Sequence, residues 1–352
     1  MRTIYVCSTV GFAGKTLATL GIGQFLKDKG VSFTYRKPVG IRPVFKDKVL
    51  VDDDALFIAE VLELDVPLEE LCSVILSQDL IVQGFKGQVD HLMTEVVSAC
   101  QAAGEEVEVL LLGGYGGLYS GAFLGLSGEK IAKALGAKVV MVVRYEGEYV
   151  VDYLLKAFED LGPELFGGVI FNDISEENLY NFRDLIRPFL EKKGLKVLGE
   201  IPHDSVLAAV SVKELREYLG AQLLGTIKED RLVEHFLIGG MQVDKAIQYF
   251  RRAPRFGVIV GGDRSDIQLA AIETGASCLI LTGGLYPNEI ILSRAEEAQV
   301  PILVVHDDTY SVARRVEKLP VQTRIRHPEK LARALELTRK YLDYQGLEEL
   351  LK

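Results

Sequence analysis

The sequence predicts an α/β protein: a parallel sheet with helices on both faces, followed by a second, smaller α/β domain. Short apolar runs alternate with amphipathic stretches along the chain, the pattern of parallel strands covered by crossover helices. The alternation falls into two series that meet near Pro202, and the first strand passes directly into a glycine-punctuated loop that opens a helix. In the first series strands are expected at 3–8, 32–36, 107–113, 138–143, 167–171 and 196–199, with helices at 15–29 (closed by Gly30), 53–63, 87–103 and 128–135. The second series has strands at 256–260, 277–281 and 301–305, helices at 265–274, 288–298 and 309–317, and a polar helix from Glu329 to about Tyr344. Residues 203–254 carry short pieces of structure, with turns at Gly220, Gly225 and Gly239-Gly240. The domain boundaries read as 1–205, 206–325 and a C-terminal helical tail at 326–352.

Composition narrows the function classes. The chain has 352 residues, 48% apolar and 26% charged, enough for two domains with proper cores. A net charge of −10 without clustered Lys and Arg excludes an electrostatic footprint for nucleic acid or anionic lipid. Cys7, Cys72, Cys100 and Cys278 lack metal-ligand or disulfide-framework spacing, as expected of core residues in a reducing cytoplasm. No charged leader precedes the first strand, and no apolar stretch approaches ~18 residues, so neither secretion nor a membrane span is expected.

The loop Ser8-Thr9-Val10-Gly11-Phe12-Ala13-Gly14-Lys15-Thr16 follows a buried strand and ends in Gly-Lys-Thr at a helix start. Backbone N–H groups in such a loop, together with the positive end of the helix, cradle phosphate oxygens. Lys15 is then expected to reach the β- and γ-phosphates of ATP or ADP, and the Thr16 hydroxyl to ligate Mg²⁺. The strict phosphate-loop spacing asks for glycine at position 9; the chain has Thr9 there and supplies Gly11 instead. Lys37, at the carboxyl end of the second strand, reads either as a second cation for a phosphoryl group or anionic substrate, or as an exposed lysine before a turn. Of Asp52-Asp53-Asp54, at least one reads as a helix N-cap, and Asp54 is a candidate Mg²⁺ ligand.

Ser8 to Thr16, Lys37-Pro38-Val39, Asp54-Ala55-Leu56 and Gly168-Val169-Ile170-Phe171-Asn172 resemble the dethiobiotin synthetase type of phosphate-loop domain. The same domain opens the long bacterial phosphotransacetylases, which Tyr35 through Asp79 resemble more closely. The resemblance implies that Lys15 and Thr16 bind phosphate and Mg²⁺, that Asp54 assists the metal, and that Asn172 reads adenine. From its position alone Asn172 is equally a turn residue. It also implies an acidic Mg²⁺ ligand after the strand Val107–Leu112, where this chain has Gly113-Gly114. Glu108 lies about 16 Å back along an extended strand and cannot substitute. Hydrolysis is therefore expected to be slow or absent, and glutamate in place of Gly113 to tighten Mg²⁺-dependent binding, if the strand end admits a side chain.

The second domain resembles the DRTGG domain through Gly261-Gly262-Asp263-Arg264-Ser265-Asp266 and Leu281-Thr282-Gly283-Gly284-Leu285, with Phe236 to Arg252 similar to its lead-in. Successive strands ending in these motifs and in His306-Asp307-Asp308 bring Asp263, Arg264, Thr282, Gly283 and Gly284 to one sheet edge. That edge reads as a second ligand site for a small metabolite or nucleotide, or as tight turns with Arg264 paired to Asp263 or Asp266. His306, Ser120 and Ser205 lack the neighbours that metal or nucleophilic chemistry needs.

Two functions follow. One is a nucleotide-binding regulatory or metabolite-sensing protein related to the non-catalytic part of phosphotransacetylase, acting as a homo-oligomer or with an acyl-metabolism enzyme. In the phosphotransacetylases a large acetyltransferase domain follows, for which the residues after 325 leave no room. The other is an ATP-dependent ligase activating a carboxylate or carbamate, like dethiobiotin synthetase or cobyrinic acid diamide synthase, with Lys15 and Lys37 as its catalytic cations. Gly113 favours the first.

Overall fold

The computed structural model describes residues 1–319 and 325–352. Chain contacts divide them into one unit of residues 1–203 and 332–352 and another of residues 204–331. Residues 320–324, at the end of the expected second domain, lie outside the described residues.

The strands of the first unit are β1 (Arg2–Ser8), β2 (Phe33–Gly40), β3 (Pro43–Lys46), β4 (Val49–Asp52), β5 (Cys72–Ile75), β6 (Val109–Gly113), β7 (Lys138–Arg144), β8 (Phe166–Ile174) and β9 (Val197–Pro202). Seven form one parallel sheet in the order β5-β2-β6-β1-β7-β8-β9, and β3 and β4 form a separate hairpin. Its central strands are unbroken apolar runs because both faces are covered: Val139 through Val143 in β7 are all fully buried. Helices Leu92–Gly104, Gly128–Leu135 and Tyr149–Leu165 cover one face. Helices α1 (Lys15–Asp28) and α2 (Asp53–Val61) contact β1, β6 and β2. The C-terminal segment, which the sequence set apart as a tail, packs into this unit: Tyr344 meets Phe25 edge-on at 5.1 Å, and the Asp343 N–H donates to the Leu198 carbonyl at 2.8 Å.

The second unit contains β10 (Val210–Ser211), β11 (Gln222–Leu224), β12 (Leu232–Val233), β13 (His235–Ile238), β14 (Phe256–Gly261), β15 (Cys278–Thr282) and β16 (Ile302–Val304). Its main sheet runs β11-β16-β15-β14-β13, parallel except for β11. The three strands expected from sequence form its centre, and helices Ser265–Glu273, Glu289–Glu297 and Thr309–Glu317 fall close to their expected positions.

One local expectation is corrected, and two elements had no counterpart in the sequence expectations. The helix expected at 87–103 begins only at Leu92 and runs to Gly104, because Gly87 at φ +69° lies outside the helical region; a separate helix, Gln78–Phe85, precedes it. β5 had no sequence forecast, because four residues are too few to show a period. The β3–β4 hairpin was also missed; its turn, Asp47-Lys48, reaches φ of +49° and +70° without glycine.

Candidate functional site

β1 delivers its carboxyl end to the loop, and α1 begins at Lys15 behind Gly14, which holds the left-handed N-cap position at φ +103°. Lys15 turns back into the loop, donating to Ser8 Oγ and to the Gly116 carbonyl, both at 2.8 Å. Burial is the main cause that pulls the Lys15 pKa down to about 8; Lys37 and Arg42 push it the same way, while Cys7 and Asp54 oppose them. Ala13 is buried, Gly11 is exposed, and Thr16 lies in the first turn of α1. Asn172, at the carboxyl end of β8, comes to the loop as well, its Nδ2 donating to the Ala13 carbonyl at 3.1 Å. Beside it, Asp173 meets Arg144 at 2.7 Å and His203 at 2.6 Å.

The neighbouring charges are arranged differently from either sequence reading of Lys37. Lys37 is buried, with Nζ 2.7 Å from Asp52 Oδ1 in a pair whose side chains are 5% and 0% exposed. Asp52 is the N-cap of α2, accepting from the Asp54 and Ala55 N–H groups, and its other oxygen accepts from the Ile41 and Arg42 N–H groups at 2.9 and 3.0 Å. Burial pushes the Asp52 carboxyl up, but the Lys37 charge and these hydrogen bonds outweigh it and hold the pKa below its ordinary value. Lys37 is thus the structural counter-ion of a capping aspartate. Asp54 lies 3.5 Å from Lys37 and 3.4 Å from Arg42. Arg42, which the sequence reading passed over, closes the cluster with its guanidinium 5.5 Å from the Phe12 ring centre.

The missing acid has a physical counterpart. A Cβ on Gly113 would stand 2.2 Å from Tyr35 Oη and 3.0 Å from Tyr35 Cζ, and Tyr35 is 1% exposed. The space at the strand end is filled by that ring, which corrects the expectation that a glutamate there would add a metal ligand. Glu108 lies at the amino end of β6, accepting from Ser32 N and Oγ at 3.0 and 3.2 Å. The donors available to Mg²⁺ reduce to the Thr16 hydroxyl and Asp54, and Asp54 is engaged by two cations. Among the described residues no three His, Cys, Asp or Glu side chains are grouped to hold a metal ion. The residues present therefore do not form a metal site of their own.

In the second unit β14 and β15 bring the expected residues to neighbouring strand ends, where Arg264, Thr282, Gly283 and Gly284 bond to other nearby residues. Arg264 forms a two-bond pair with Asp266 at 3.0 and 3.0 Å, the pairing reading rather than the open anion site. Thr282 Oγ1 meets Thr309 Oγ1 at 2.7 Å. Gly283 and Gly284, at φ +80° and +66°, donate their N–H groups to the Asp307 and Val305 carbonyls. A Cβ on Gly262 would lie 2.2 Å from the Leu285 carbonyl oxygen, so this glycine serves close passage of two loops. Asp263 follows in the turn before the helix Ser265–Glu273.

Comparison with known proteins agrees with this two-part architecture. An AAA domain model matches residues 2–211 and a DRTGG domain model residues 214–319. The chain belongs to the AAA domain family, with a DRTGG domain following, as the resemblance to the N-terminal region of phosphotransacetylases implies. The phosphate acetyltransferase of Pseudomonas aeruginosa is 23% identical over 99% of this chain and 52% of its own length. That of Nitratidesulfovibrio vulgaris is 30% identical over 42% of this chain and 22% of its own. The chain thus spans about half the length, or less, of these curated relatives. Among solved structures, the CBS and DRTGG domains of the regulatory region of Clostridium perfringens pyrophosphatase, complexed with diadenosine tetraphosphate, align at 20% identity. The alignment covers 41% of this chain and 71% of that one, with a TM-score of 0.29. No helix among the described residues is long and apolar enough to cross a membrane.

Proposed function

We propose that this chain is a nucleotide-binding regulatory module that takes ATP or ADP at the phosphate loop and turns it over slowly or not at all. The observation that carries this reading is Lys15, turned into the loop beside the positive end of α1 and hydrogen-bonded to two neutral oxygens, Ser8 Oγ and the Gly116 carbonyl. A half-buried lysine so placed, its pKa lowered chiefly by loss of solvent, gains a counter-charge from an incoming phosphate. Lys15 would exchange its contacts to Ser8 and Gly116 for phosphate oxygens, Thr16 would offer its hydroxyl, and Asn172 would brace the loop or reach the base. Mg²⁺ would arrive with the nucleotide, since the chain itself offers few ligands.

The ligase reading is less well supported. It needs Lys37 as a mobile catalytic cation, whereas extracting Lys37 would strand a buried aspartate. It also needs a metal-binding acid where Tyr35 fills the space. At the DRTGG edge Arg264 and Thr282 are already bonded within the protein, which favours the loop as the nucleotide site. The regulated partner would be a second copy of the chain or an acyl-metabolism enzyme.

The test combines a thermal-shift titration with a turnover assay. A ligand at ~100 times its Kd that binds only the folded state adds about 2.7 kcal/mol of stability, easily seen as a higher melting temperature. ATP and ADP should each raise it, Lys15→Ala should lose the shift, and ATP turnover should stay below ~1 s⁻¹, the low end of ordinary enzymes. An unshifted melting curve at millimolar ATP overturns the nucleotide reading; faster turnover overturns the regulatory one.

A further inference from the structure

The three cations of the loop differ in how firmly they are held. Lys37 is locked in a 2.7 Å pair with a fully buried, four-times hydrogen-bonded Asp52. Lys15 is anchored by two 2.8 Å hydrogen bonds inside the loop. Arg42 is different. Its side chain is 26% exposed, and its guanidinium has two contacts: Asp54 at 3.4 Å, near the limit of a hydrogen bond, and the ring of Phe12 at 5.5 Å. Both are contacts of the kind that contribute little at a partly exposed site. Its backbone, by contrast, is fixed: the Arg42 N–H donates to Asp52 and its carbonyl accepts from the Asp53 N–H at 2.9 Å. Arg42 is therefore a weakly held head on a hydrogen-bonded backbone, within electrostatic reach of the lysine expected to meet the terminal phosphates.

Phe12 has its own anomaly. It occupies the left-handed region at φ +59°, where a bulky residue is a true outlier, and its side chain is 48% exposed. Strain of this kind persists where surrounding contacts enforce it, and it collects at ligand clamps and switches. Burial does not account for an exposed phenylalanine there; the contact it makes from this position is with Arg42.

We propose that Arg42 is a phosphate-chain sensor that distinguishes nucleoside triphosphate from diphosphate. Without nucleotide the guanidinium rests on Phe12 and Asp54. A γ-phosphate on Lys15 draws it off, because a planar guanidinium donates two parallel hydrogen bonds to a phosphate and a phenyl ring offers none. A diphosphate ends one phosphoryl group short, so Arg42 stays on Phe12. No bond is made or broken; the switch is a choice between two resting places. The inference rests on the proposed nucleotide site at the loop and adds to it the basis of its selectivity.

The experiment is calorimetric titration of ATP and of ADP into the wild-type chain, Arg42→Ala, Arg42→Lys and Phe12→Leu, with ligand-free melting temperatures confirming that each variant is folded. Loss of a charge-assisted two-bond contact predicts that Arg42→Ala weakens ATP by about 10- to 100-fold. ADP should stay within a few-fold of wild type. Arg42→Lys, a point charge without the fork, should fall between. Phe12→Leu keeps an apolar side chain and removes the ring, and should tighten ATP by about 2- to 5-fold with ADP unmoved. If wild type binds both nucleotides and Arg42→Ala weakens both equally, or neither, the sensor is overturned while the site stands. If wild type binds neither, site and sensor fall together.

Discussion

Adding a single methyl group at Gly113 probes why this strand end lacks the acid that the family resemblance implies. In Gly113→Ala the new Cβ would meet Tyr35 Oη at 2.2 Å and Cζ at 3.0 Å, against optimal carbon separations of about 3.5–4.0 Å. Tyr35 is 1% exposed and its strand is hydrogen-bonded on both sides, to β5 and β6, so relief of the contact requires a ring within the core to shift. Overpacking of this kind costs typically 1–3 kcal/mol, so about 2 kcal/mol is expected. At roughly 2–4 °C per kcal/mol for a unit of this size, the first transition in a calorimetric scan should fall by about 4–8 °C. Tyr35→Phe removes the atom at 2.2 Å and leaves the ring carbon at 3.0 Å, so the double variant should recover more than half of the loss. Gly113→Glu should destabilise further and gain no Mg²⁺-dependent affinity, since its carboxylate enters a filled and buried space. A Gly113→Ala protein that melts with wild type, or a Gly113→Glu protein that binds nucleotide more tightly with Mg²⁺, would refute the reasoning and return this position to the metal.

Four further outcomes are expected. Asp52→Asn or Lys37→Met should each cost about 3–5 kcal/mol in denaturant unfolding, because each strands a buried partner; a loss under 1 kcal/mol would mean that the pair is dispensable. Since the folded pKa of Asp52 is depressed, its contribution is present above the unfolded carboxylate range and should fade as pH falls through the folded value, an acid limb that Asp52→Asn lacks. Because ligand-free Lys15 titrates at about 8, ATP affinity should fall about tenfold from pH 7 to pH 9 with proton uptake on binding, measured calorimetrically in buffers of different ionisation enthalpy; a flat profile contradicts this. Arg264→Ala should leave both the ligand-free melting temperature and the ATP shift nearly unchanged, since its pair with Asp266 is exposed; loss of the shift would move the nucleotide to the DRTGG edge.

The fold was legible where patterns are long. β1, β6, β7 and β14 are continuous apolar runs, and Gly14-Lys15-Thr16 marks the start of α1 because only a few loop chemistries precede a helix in that way. The carboxyl-edge rule correctly grouped Arg264 with Thr282 and Gly283, yet proximity in a fold does not tell whether donors are already taken. Lys37 shows the limit most plainly. Its partner Asp52 is fifteen residues away and arrives through the β3–β4 hairpin, whose turn carries no glycine. A lysine after a strand reads as exposed or catalytic until that pairing is seen. Tyr35 likewise carries no signal that its ring fills the space at Gly113, because packing across neighbouring strands has no sequence period. Arg42 could have been found as a cation two residues beyond Gly40, at the edge where ligands of parallel sheets bind.

The proposed nucleotide site is the phosphate loop, acting through Lys15. Isothermal titration of ATP into the wild-type chain and Lys15→Ala at pH 7 tests it most directly. Wild type should give saturable one-site heat that Lys15→Ala loses while keeping its folded melting transition. Equal binding by both proteins, or no heat from wild type at millimolar ATP, would contradict it.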